Sequence, residues 1–70
     1  MNEFFALIEK IKQRNPVIRV ELISEENRKF WRIIVSNGTK EVFNIMGQDT
    51  TLLFQNAYSK LQVHRKELVE

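Results

Sequence analysis

Lys29-Phe30-Trp31-Arg32-Ile33-Ile34-Val35-Ser36-Asn37-Gly38-Thr39-Lys40-Glu41-Val42-Phe43-Asn44-Ile45 reads as two strands, the first from Lys29 to Val35, joined by a tight turn. Both arms are rich in aromatic and β-branched residues, which suit a pleated, half-buried surface. An Asn-Gly pair between two such runs is the strongest short-range hairpin signal. The first arm carries bulk on both faces. Phe30 and Ile34 point one way, and Trp31, Ile33 and Val35 the other, because successive strand residues alternate between faces. With Asn37-Gly38 as a two-residue turn, Ile33 stands opposite Val42 and Arg32 opposite Phe43. One extra loop residue would exchange the partners supplied by the third strand, since the side-chain period is two.

Working outward, Val17 to Ile23 also alternates, with Ile18, Val20 and Leu22 on one side and Arg19 and Glu21 on the other. This predicts a first strand, separated from the hairpin by the polar loop Ser24 to Arg28. Before it, Phe4, Leu7, Ile8 and Ile11 recur at helical spacing within Asn2 to Asn15, with charged residues on the opposite arc. Asn2 is a suitable cap, and Pro16 ends the helix because proline disfavours helical geometry in the residue before it. After the hairpin, Gly47 closes the third strand and Asp49 caps a last helix with its apolar stripe on Phe54, Ala57, Tyr58 and Leu61. Residues 63–70 extend this helix or fray from it, with Leu68 one heptad beyond Leu61.

The fold class is therefore α+β: residues 1–70 form one αβββα domain, a three-stranded antiparallel meander with two helices on one face. That order and length are similar to the double-stranded-RNA-binding domain, across the whole chain and at the level of topology. In that family the last helix begins with a lysine-rich, phosphate-gripping motif. Here Asp49-Thr50-Thr51-Leu52-Leu53-Phe54-Gln55 holds no base, and Ser24-Glu25-Glu26-Asn27 replaces the family's Gly-Pro-x-His loop. The resemblance thus implies the fold and not the RNA grip.

Seventy residues with 11 Lys+Arg, 9 Asp+Glu, one His and no Cys carry a formal charge of +2. A chain this short buries only about 60% of its unfolded surface, and without cysteine it has no disulfide or thiolate staple, which favours self-association. The near-balanced charge lacks the one-sided basic concentration usual in nucleic-acid domains. The apolar run Phe4 to Ile8 follows Glu3 and suits neither a signal peptide nor a membrane span, so a cytoplasmic location is expected. The basic residues at the helix ends, Lys10, Lys12 and Arg14 and again Lys60, Arg65 and Lys66, match the negative pole of the helix dipole.

Catalysis needs a nucleophile beside a base, poised carboxylates or a metal cage. The chain has one His (His64), one Asp (Asp49), adjacent Glu25 and Glu26 in a polar loop, and two glycines nine residues apart. The expectation is no enzyme, no cofactor, no metal and no small-molecule substrate. With Trp31, Ile33 and Val35 taken up by the helices, Phe30, Ile34 and Phe43 remain outside, flanked by Arg32 and Glu41. Such a patch marks a contact surface. The expected function is protein binding, as a homodimer or on a larger partner, through Phe30, Arg32, Ile34 and Phe43 on the outer sheet face or through an open strand edge. The alternative is single-stranded nucleic acid, with Phe30 and Arg32 stacking bases and Arg19, Lys29 and Lys40 meeting phosphates.

Overall fold

A computed structural model describes residues 2–25, 27 and 29–69. Helix α1 (Glu3–Arg14) starts at Asn2, whose Oδ1 accepts the Phe4 N–H at 2.8 Å, and it ends at Asn15, one residue before the proline. Strands β1 (Ile18–Glu25), β2 (Phe30–Asn37) and β3 (Lys40–Gly47) form one antiparallel sheet in the order β1-β2-β3. Helix α2 (Thr50–Val63) follows, capped by Asp49, whose carboxylate accepts the N–H groups of Thr51 and Leu52. The expected α+β class and element order are observed.

The core lies between one sheet face and the helices. Phe4, Ile8 and Ile11 from α1 and Leu53, Ala57 and Leu61 from α2 recur at helical spacing and bury against Ile18, Ile33 and Val35. Trp31 packs on this cluster from the same face. Phe4 and Phe54 meet at a centroid distance of 5.8 Å and Phe5 and Phe54 at 5.5 Å, which joins the first turns of the two helices.

The tail differs from a simple extension of the last helix. Helix α2 stops at His64, and the chain turns into a short helix α3 (Arg65–Val69) that returns to the core and buries Leu68 completely. The break brings Leu68 into the core cluster, with its carbonyl beside Asn15 at the α1–β1 junction. Two asparagines hold it there. Asn15 Nδ2 donates to the Leu68 carbonyl at 2.8 Å, and Asn37 Nδ2 donates to the Glu67 carbonyl at 2.8 Å. The last carbonyls of any helix lack partners within it, and these side chains supply them.

Candidate functional site

The sheet has one covered and one bare face, and the register assigns residues to each. Glu21 pairs with Ile34, Ile23 with Arg32 and Glu25 with Phe30. Ile34 in turn pairs with Asn44 and Arg32 with Met46. Cross-strand partners share a face, so Ile23, Phe30, Ile34 and Met46 lie together on the side away from the core. Arg32 sits at the centre of this face. Its Nε lies 3.7 Å from Glu25 Oε1 and its Nη1 donates to Asn44 Oδ1 at 3.3 Å. Arg19 and Glu21 complete the β1 row, and Glu41, paired with Ser36, lies on the same face, so two arginines meet three glutamates there.

Phe30, Arg32 and Ile34 thus occupy the outer face, each half-buried among its neighbours. Phe43 does not. It pairs with Val35 and is only 7% exposed, against the expectation that it faces outward opposite Arg32. Two shifts cause this. The turn is Gly38-Thr39, with Asn37 paired to Lys40 inside the ladder, and a bulge between Val35 and Ser36 adds a residue at Val42. Phe43 is displaced three residues along β2 from its expected partner, an odd number, which flips it to the core. There its ring stacks on His64 at 5.9 Å and 27°.

The same register disperses the basic set of the nucleic-acid alternative. Arg19 stays on the outer face with Phe30 and Arg32. Lys40 pairs with Asn37, whose amide reaches the core-side helix α3, so Lys40 belongs to the opposite face. Lys29 precedes β2 in the left-handed region, with φ 57°. Neither family models, curated protein sequences nor solved structures give this chain a match.

A second feature was not legible in the sequence: the flank where α2 runs beside the β3 edge. A groove of about 410 Å³ lies there, lined by Ile45 and Met46 of β3 and by Asn56, Lys60 and Val63 of α2. Met46 is 54% exposed, Leu52 56% and Val63 76%. The helical stripe through Leu52, Asn56, Ser59 and Val63 has apolar residues only at its two ends, too weak a period to read as a buried face. No described helix is long and apolar enough to cross a membrane.

Proposed function

We propose that this chain is a non-enzymatic protein-interaction domain that docks through the bare sheet face, with Phe30 and Ile34 as apolar anchors and Arg32 as the polar one. One observation carries this reading. The helices cover a single face of the sheet, and the other presents Ile23, Phe30, Ile34 and Met46 together around an arginine already held by Glu25 and Asn44. Aromatic and arginine residues dominate binding energy when a partner excludes water from them. With two arginines against three glutamates, the face suits a protein surface better than a polyphosphate, which is gripped by uncompensated cations.

The test is site-specific photocrosslinking in cells, with benzoylphenylalanine installed in place of Ser36 on the outer face or of Lys12 on the exposed side of α1. The expected result is a nuclease-resistant protein adduct from position 36, absent from position 12 and lost on adding Phe30→Ala. Nuclease-sensitive adducts, or equal protein adducts from both positions, would overturn the reading.

A further inference from the structure

The two sheet edges differ in how they are defended against pairing. Unpaired edges are usually blunted by charge, proline, bulges or a covering element. Edge strand β1 carries Arg19, Glu21 and Glu25, whereas β3 has no charged residue from Val42 to Gly47. The bulge at Val42 marks only the hairpin end of β3.

The ladder fixes which β3 groups are free. Gly38 N–H donates to the Val17 carbonyl at 3.2 Å, which continues the β1–β2 pairing and sets its phase. Hydrogen-bonded and non-bonded pairs alternate in an antiparallel ladder. The even-numbered residues of β2 therefore bond to β1, and Trp31, Ile33 and Val35 bond to Gly47, Ile45 and Phe43 of β3. The backbone N–H and C=O groups of Asn44 and Met46 point away from the sheet, and among the described residues no hydrogen bond engages them.

Resting on the reading that the chain acts by protein association, we infer that the β3 edge and the adjoining flank of α2 bind a second copy of this chain, forming a continuous six-stranded antiparallel sheet. The sequence of the edge is self-complementary about Asn44. A two-fold axis there sets Asn44 against Asn44, Val42 against Met46 and Phe43 against Ile45 of the other copy. Amide meets amide and apolar meets apolar, with no like charges opposed on the strand. Moving the axis to Phe43 would set Lys40 against Met46 and Glu41 against Ile45. The Asn44 axis also runs the two α2 helices antiparallel, with the Leu52 end of one beside the Val63 end of the other. This covers the three most exposed large apolar side chains among the described residues, Leu52 and Val63 along the paired helices and Met46 against Val42 of the other copy on the outer face. Lys60 lies in the same groove and is exposed, and a lysine stem is long enough to carry its ammonium out to water.

The experiment is sedimentation equilibrium of the purified chain from about 1 μM to about 500 μM, a range that captures weak as well as stable interfaces, paired with amide hydrogen exchange at high concentration. Dimer is expected, with the Asn44 and Met46 amides protected and those of Val20 and Leu22 on the β1 edge exchanging freely. Asn44→Pro removes an outward N–H and leaves the β2 ladder intact, so it should weaken dimerisation at least tenfold. Should that variant fail to fold, Met46→Lys replaces it with the same expectation. Leu22→Lys on the other edge and Phe30→Ala on the outer face should leave the dimer unchanged. A monomer at every concentration would overturn the inference, as would dimerisation that is insensitive to the β3 variant or is lost in Leu22→Lys. Loss only in Phe30→Ala would assign self-association to the outer face. The photocrosslinking result stands or falls separately.

Discussion

Asn15 and Asn37, separated by 22 residues, join side chain to side chain, with Asn15 Nδ2 donating to Asn37 Oδ1 at 3.1 Å. Each amide also holds a carbonyl of α3. One pair of residues therefore ties the end of α1, the end of β2 and the C-terminal helix into a single corner. A five-residue helix has no independent stability, so its place depends on this corner, on Leu68 and Val69 against the core and on the 2.7 Å contact between His64 Nδ1 and Glu67 Oε2.

Asn37→Ala should cost about 1–2 kcal/mol, because it strips a partner from both the Glu67 carbonyl and the Asn15 amide. Asn15→Ala should cost a similar amount, and the double variant less than the sum, since both residues act through one network. Urea unfolding of the four proteins gives the cycle. Hydrogen exchange across residues 65–69 should accelerate in each variant, and additive losses with unchanged exchange would mean that the corner does not anchor α3.

Leu68→Ala should destabilise the protein by about 2–5 kcal/mol, the range for removing a fully buried leucine. Val63→Ala, at a position 76% exposed, should change stability by less than about 0.5 kcal/mol. Thermal and urea melts of the two variants decide whether the tail is part of the core.

The hairpin, its strands and both main helices were legible because each rests on a local signal: period two in β1, period 3.6 in α1, capping at Asn2 and Asp49, and the Asn37-Gly38 dipeptide. Which face Phe43 occupies was not. Asn37 suits the first turn position on local chemistry alone, but its amide is engaged by Asn15 and Glu67, and the turn moves on to Gly38-Thr39. The bulge at Val42 then makes the register shift odd. Asn37 is engaged by residues distant in sequence and the bulge leaves no mark on the dipeptide, so the dipeptide predicts a hairpin without predicting its register. The division of Trp31, Ile33 and Val35 from Phe30 and Ile34 was readable because it depends only on alternation within one strand.

The turn itself gives a clean contrast. Gly38 has φ 62°, and a methyl group there would meet nothing within 4 Å. Gly38→Ala should still cost about 1 kcal/mol, purely from left-handed backbone strain. At Gly47, where an added Cβ would lie 3.6 Å from Leu53 Cδ1 in ordinary contact, alanine should be close to neutral. Comparable losses in both variants by denaturant melting would contradict the Gly38-Thr39 turn.

Charge reversal separates the two binding chemistries. Arg19 and Lys40 lie on opposite faces of the sheet, so Arg19→Glu combined with Lys40→Glu alters two surfaces and removes no apolar anchor. Protein crosslinking from position 36 should therefore persist in the double variant. Phe30→Ala, at a half-buried site, should lower stability only by about 1 kcal/mol and yet abolish the adduct. Fluorescence anisotropy against labelled single-stranded and duplex DNA and RNA supplies the counterpart measurement. Weak or no binding is expected at low salt, where phosphate attraction is strongest. Micromolar affinity that falls steeply with salt, disappears in Arg19→Glu alone and persists in Lys40→Glu alone would instead assign the outer face to nucleic acid.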